Sequence, residues 1–276
     1  MSRLGLIAGR GRLPILAAAA VRAGGVSIRA LALEGLADPA LAGEVDAIRW
    51  LRVGRLEAAA EALRSMDVKS VLLVGSVPKR LLRDGQGLVE LDGTARSLLG
   101  RLASQGDDAI LRALLLWLEA VGFDVVSQSE ALAPLLAPAG VWSQRAPTAG
   151  ERADVEVGRA ALARGAGADG GQCVVVHRAR VVAVEAIEGT DDAIRRAGRL
   201  VGPGAVVVKA GRPGQDRRID LPAVGPDTIA VMREVGACCL AVEAGLALIL
   251  ERQSTRAAAD RAGIACLGFD AGQGAS

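Results

Sequence analysis

The densest run of reactive side chains is Glu185-Ala186-Ile187-Glu188-Gly189-Thr190-Asp191-Asp192, four acids and a hydroxyl across a strand end and a helix start. Glu185 and Glu188 leave an ordinary strand on different faces, so not all of these groups can converge. Thr190 or Asp191 also suits a helix N-cap. Downstream come Lys209-Ala210-Gly211-Arg212-Pro213-Gly214-Gln215-Asp216 and Arg217-Arg218-Ile219-Asp220-Leu221-Pro222. A Lys closing an apolar strand, then a Gly/Pro loop and a charged stretch, reads as a phosphate-facing site. Lys and Arg neutralise phosphate oxygens, while Asp holds magnesium or orients water. A solvated basic loop is the plain alternative.

Two glycine turns add to this. Gly9-Arg10-Gly11-Arg12-Leu13-Pro14 lies between a strand and a helix, and Gly75-Ser76-Val77-Pro78-Lys79 follows another strand. Glycine lets backbone amides approach a phosphate, and a helix N-terminus adds positive potential. The dinucleotide fingerprint G-x-G-x-x-G needs glycine where Pro14 stands, although Glu34 closes the second strand where a ribose-binding acid belongs. Each turn reads equally as a tight βα connection. In Gly106-Asp107-Asp108, one Asp caps the long helix that follows, and the other is available to a metal or a sugar hydroxyl. His177 ends an apolar strand headed by Gln172 and has no evident acid partner, so it reads as a satisfied edge residue.

Composition narrows the chemistry. The 276 residues include one His, no Tyr, three Trp and two Phe, and only three of the 33 basic residues are Lys. Without Tyr, a Tyr-x-x-x-Lys dehydrogenase site is excluded. One His cannot supply a calcineurin-like two-metal centre or a His-based zinc site. Scattered aromatics exclude a base-stacking platform, and a net charge of +2 argues against a nucleic-acid partner. Cys173, Cys238, Cys239 and Cys266 form no C-x-x-C pair and sit in apolar runs, as reduced core residues of a cytosolic protein do. Residues 13–21 resemble a signal-peptide core, but strand, loop and helix explain them better, and no apolar run is long enough to span a bilayer.

The elements that must position these groups alternate. Strands are expected at 4–8, 28–33, 47–51, 70–74 and 123–127, with helices at 14–23, 56–65, 94–103 and 108–121. The strands are continuous apolar runs, as in a buried parallel sheet. A stretch with three prolines breaks the pattern. A helix at 150–164 and a second set of strands follow, at 173–177, 181–187, 205–209, 238–242, 246–250 and 264–268. The expected fold is α/β with two domains. A Rossmann-like domain with a mostly parallel sheet spans 1–130, a Pro-containing linker 131–148, and a second α/β domain 149–276.

Six motifs give a family resemblance. LGLIAGRGRLP, GDDAILR, GGQCVVV, AVEAIEGTDDAIRRAG, VVKAGRPGQDRRIDLPAVGPDTI and AVEAG occur in the same order as in the LpxI-type UDP-2,3-diacylglucosamine pyrophosphatases, from about residue 3 to 270. The resemblance implies a two-domain homodimer that splits UDP-2,3-diacylglucosamine with Mg2+ into UMP and 2,3-diacylglucosamine 1-phosphate. That is a step of lipid A synthesis at the cytoplasmic face of the inner membrane, performed in some bacteria in place of the calcineurin-like enzyme. Water would attack the phosphorus nearer the sugar.

The resemblance puts Asp220 first as a catalytic or metal-binding residue, with Lys209 catalytic beside it and Arg218 as helper. Asp191 and Glu188 would share the metal. Gly9, Gly11, Gly75, Ser76, Asp107, Gln172 and Thr190 would bind substrate. The family often has Asn where this chain has Ser76, which offers no side-chain amide. The acyl chains would need an apolar groove, for which residues 131–142 are candidates. Two alternatives stay open: a nucleotide-dependent oxidoreductase using Gly9–Pro14 and Glu34, and a non-catalytic nucleotide- or lipid-binding protein.

Overall fold

The computed structural model describes residues 3–78, 81, 88–100, 107–165, 171–213, 215–216 and 218–270, without the side chains of Asp107 and Asp108. The chain divides into two units: Met1–Pro134 with Asp216–Asp220, and Leu135–Gln215 with Leu221–Ser276.

The first unit carries five strands: β1 (Arg3–Ala8), β2 (Ser27–Leu33), β3 (Ala47–Leu51), β4 (Ser70–Val74) and β5 (Asp124–Val125). All pair in parallel, in the order β3-β2-β1-β4-β5. The chain runs outward from β1 in both directions, so β1 and β4 flank a topological switch point. Helices α1 (Leu13–Ala23), α2 (Leu56–Ser65), α3 (Gly93–Gly100), α4 (Asp107–Ala120) and α5 (Gln128–Ala131) connect or follow the strands. Pro14 sits in the first turn of α1, where its missing N–H costs nothing. One core cluster joins Leu31, Leu63, Val71, Leu118 and Phe123 to Ile219, which arrives from far along the chain. The expectation of two contiguous domains did not include this excursion of Asp216–Asp220.

The second unit has a six-stranded mixed sheet. Its strands are β6 (Gly140–Val141), β7 (Cys173–His177), β8 (Arg180–Val184), β9 (Val206–Lys209), β11 (Cys239–Glu243) and β13 (Ala265–Phe269), in the order β6-β13-β11-β9-β7-β8. β9, β11 and β13 are parallel, and β7 runs antiparallel to both β8 and β9. β10 (Ala223–Val224) and β12 (Leu248–Ile249) form a separate parallel pair. Two buried clusters, one around Val207 and Leu240 and the other around Val206, Val208 and Ala241, reflect the alternation of side chains to opposite faces of the sheet.

Helices α6 (Ala149–Ala163), α7 (Thr190–Val201), α8 (Pro226–Val235) and α9 (Arg252–Ala262) complete the unit. Thr148 and Glu151 form a capping box at the start of α6. Glu151 also receives a two-pronged ion pair from Arg145, whose guanidinium reaches the carbonyls of Cys238 and Gly263. The tight β7–β8 hairpin puts Arg178 and Ala179 at positive φ, and the buried Asp154 accepts both of their amides. All four cysteines are free thiols. Among the described residues, no helix is long and apolar enough to cross a membrane.

Candidate active site

The mixed sheet brings several strand ends to one edge. Lys209 at the end of β9 pairs with Cys173 at the start of β7 and with Val242 of β11. The Glu185 amide, just past β8, donates to Cys173 O at 2.8 Å. Gln172, Glu185, Lys209 and Glu243 therefore share one edge of the second unit, and α7 starts there. His177, at the opposite end of β7, is remote from it.

Lys209 is only 7% exposed. Its Nζ donates to Thr190 Oγ1 at 2.8 Å and to Ala223 O at 3.1 Å. Thr190 Oγ1 donates to Glu185 Oε1 at 2.9 Å, and Glu185 Oε2 accepts the Gln172 amide at 3.0 Å. The cation is thus held by a chain that ends on a carboxylate, as a buried ammonium requires. Its third hydrogen has no partner among the described residues, so it is the one a phosphate oxygen can take. Thr190 is occupied in this way and does not cap its helix, whose N-cap is Gly189.

The loop after Lys209 is tied down amide by amide. Ala210 N donates to Gln172 O, Gly211 N to Glu243 Oε2 at 2.9 Å, and Arg212 N to Gln215 Oε1 at 3.0 Å. Gln215 Oε1 also accepts from Gln172 Nε2 at 3.1 Å.

Asp191, in the first turn of α7, is half-buried and has neither a hydrogen bond nor an ion pair among the described residues. Burial pushes its carboxyl up. Arg195 and Lys209 pull it back, and the charges of Asp227 and Asp192 push it further up. Arg196 Nη2 donates to the Glu188 carboxylate at 2.5 Å. That hydrogen bond keeps the Glu188 carboxyl below its ordinary range. Magnesium takes one or two carboxylates and completes its shell with water and substrate phosphates. Asp191, an unpaired oxygen donor, fits that role. Glu188, already paired with Arg196, is less available to a metal than Asp191. Among the described residues, no three His, Cys, Asp or Glu side chains are grouped to hold a metal.

In the first unit, the two glycine turns meet each other. Arg10 N donates to Ser76 O at 2.8 Å, Ser76 N to Arg10 O at 3.0 Å, and Gly9 N to Val74 O at 2.9 Å. A Cβ on Gly9 would stand 2.7 Å from Ser76 O. One on Gly75, at φ +85°, would stand 2.8 Å from the Gly9 carbonyl carbon. These glycines are needed for backbone-to-backbone approach at the switch point, and the amides of Gly9, Arg10 and Ser76 are already committed there. Gly11, at φ +106°, faces open space. Glu34 lies 3.6 Å from Arg52 in an exposed ion pair.

The inserted segment lies near the end of β4. Gln128 donates its amide to Arg218 O at 3.0 Å and its side-chain amide to Leu73 O at 2.7 Å. The Arg218 guanidinium is gripped by Asp216 at 2.7 Å and by Glu119 at 2.5 Å, and the Asp216 hydrogen bond chiefly holds it in the charged form. Asp220 is exposed at φ +55°, a left-handed conformation that Asp tolerates. The structure groups Gly9, Gly75, Ser76, Arg218 and Asp220 in one unit, and Gln172, Thr190, Asp191 and Lys209 in the other. The Asp107 backbone opens α4, while its side chain lies outside the described residues.

Gln215, Asp227 and Glu243 lie inside the ordered motifs, yet spacing gave none of them an individual role. For Glu243 the signal was an acid closing the apolar run Cys239–Val242.

Strand order and site together define a two-unit α/β protein with a buried lysine at a strand edge suited to phosphate. Family models for the LpxI N-terminal domain and the LpxI C-terminal domain match residues 3–135 and 138–267. The UDP-2,3-diacylglucosamine pyrophosphatase LpxI of Caulobacter vibrioides is 33% identical over 282 residues, 98% of each chain. This chain belongs to the LpxI family. A solved glycinamide-RNase-transformylase T from Mycobacterium tuberculosis overlaps 65% of this chain and 43% of its own, at 17% identity and a TM-score of 0.25, too distant to carry an argument. The resemblance read from six ordered motifs and the expected α/β class both hold.

Proposed function

We propose that the chain hydrolyses the pyrophosphate of UDP-2,3-diacylglucosamine to UMP and 2,3-diacylglucosamine 1-phosphate, a step of lipid A synthesis. The near-full-length relation to a protein named for this activity supports the reading. The observation that carries it is the buried Lys209 ammonium, held by Thr190 and Ala223 with a third hydrogen that meets no partner among the described residues.

Water adds to the phosphorus nearer the sugar, and the bridging oxygen leaves with UMP. Negative charge grows on the phosphate oxygens as the new bond forms. Lys209 stabilises it from a fixed, water-poor position, where such a charge acts most strongly. Glu185, through Thr190, keeps the ammonium aimed. Asp191 is the residue that would hold magnesium in this unit, and Asp220 is assigned as metal ligand or water-orienting carboxylate. Magnesium, when bound, screens the two phosphates against the attacking water. Gln172 and Thr190 border the sugar phosphate. An acylated substrate fits an enzyme bound peripherally at the cytoplasmic face of the inner membrane, and the family resemblance carries the homodimer.

Purified protein is incubated with UDP-2,3-diacylglucosamine in mixed micelles, with and without Mg2+. UMP and the lipid monophosphate should appear in equal amounts, stop with a chelator and return with Mg2+. Undiminished turnover after exhaustive chelation overturns the magnesium assignment. Binding without UMP release overturns the hydrolase.

A further inference from the structure

Glu243 is a carboxylate where an apolar residue would be expected. Every residue of β11 is buried, and Glu243 is itself only 7% exposed. It ends its strand one residue beyond Val242, the partner of Lys209. Among the described residues, one hydrogen-bond donor reaches its carboxylate, the Gly211 amide at 2.9 Å. Burying a carboxylate against a single amide is a poor way to stabilise a fold, because desolvation outweighs one hydrogen bond. A neutral side chain of similar size would serve packing better.

What the carboxylate does is local. Gly211 is the second residue after Lys209, and a side chain there would strike Leu246, its Cβ coming within 2.6 Å of Cδ2. The amides of 210 and 212 are held by Gln172 and Gln215, which are themselves tied to this loop. Among the described residues, Glu243 alone hydrogen-bonds the loop to the neighbouring parallel strand through a side chain.

We propose that Glu243 is a positioning residue. By accepting the Gly211 amide it fixes the backbone that carries Lys209, and so sets where the ammonium meets the phosphate. This rests on the hydrolase reading above. Displacement of a catalytic group by about 1 Å can cost about 100-fold in rate.

The test compares wild type with Glu243→Gln, Glu243→Asp and Glu243→Ala. Gln keeps an acceptor oxygen at the same reach, Asp keeps the charge but falls short, and Ala keeps neither. The inference expects Glu243→Gln to stay near wild-type kcat, and the other two to lose about 100-fold in kcat with KM little changed. Hydrogen exchange at the Gly211 amide, read on the same proteins, should stay slow in Glu243→Gln and quicken in the other two. Wild-type-like kcat in Glu243→Asp, loss in Glu243→Gln equal to that in Glu243→Ala, or unchanged exchange at Gly211 overturns it. Inactive wild-type protein would count against the hydrolase reading, and the exchange measurement would still decide the role of Glu243.

Discussion

Lys209 Nζ stands 2.8 Å from Thr190 Oγ1, and the same hydroxyl donates to Glu185. The threonine acts as a coupler. It passes the orienting effect of a carboxylate to an ammonium without letting the two charges collapse into a direct pair, which would neutralise the cation that a phosphate must meet.

Lys209→Met keeps the bulk and removes the charge. It should lower kcat by a factor of about 100 to 1,000 while circular dichroism stays native. Lys209→Arg should not restore activity, because a planar fork does not fit the space of a compact ammonium. Steady-state kinetics of both variants check this.

Asp191 is half-buried with no hydrogen bond or ion pair among the described residues, and burial raises its carboxyl. A raised folded-state pKa means that folding favours the protonated form, so ionisation works against the fold as pH rises through that value. At neutral pH, Asp191→Asn should therefore melt higher than wild type while losing turnover. Melting curves of the metal-free proteins and steady-state kinetics read the two effects.

The meeting of the two glycine turns is a backbone contact with no slack. Gly9→Ala would push a methyl against Ser76 O and break the bridge at the switch point. A loss of about 1–3 kcal/mol is expected, measured by the urea midpoint.

Glu151 carries the acid sensitivity of the second unit. Burial alone would raise its carboxyl, but hydrogen bonds from Arg145, Cys238 and the Thr148 amide, with the Arg145 charge, lower it to about 2. A depressed folded-state value contributes stability that is present above pH 4.5 and is lost as pH falls toward about 2. Glu151→Gln should lose on the order of 3 kcal/mol at neutral pH. Its denaturation midpoint should also fall less on acidification than that of wild type.

Much of the first sheet was legible, because buried parallel strands write themselves as apolar runs: 4–8 and 70–74 sit within a residue of β1 and β4. Glu185 and Glu188 do take different partners, Thr190 and Arg196, but not by strand alternation, since β8 ends at Val184 and Glu188 lies in the turn before α7. The packing of Ile219 among Leu31, Leu63 and Phe123 was not legible, since it depends on contacts across most of the chain. The expected strand 246–250 shrank to Leu248–Ile249, as only two of its residues find a pairing partner. Asp191 and Glu188 looked interchangeable in sequence. They part because Arg196, two turns along α7, claims one and not the other.

The central claim is that Lys209 and its neighbours serve pyrophosphate hydrolysis. Its most direct test is a single reaction in 18O-water: purified protein, UDP-2,3-diacylglucosamine and Mg2+, with the products analysed by mass spectrometry. The account predicts UMP without label and 2,3-diacylglucosamine 1-phosphate carrying one 18O, with Lys209→Met forming neither product at an appreciable rate. Intact UDP-lipid after prolonged incubation, or equal turnover by Lys209→Met, would contradict it.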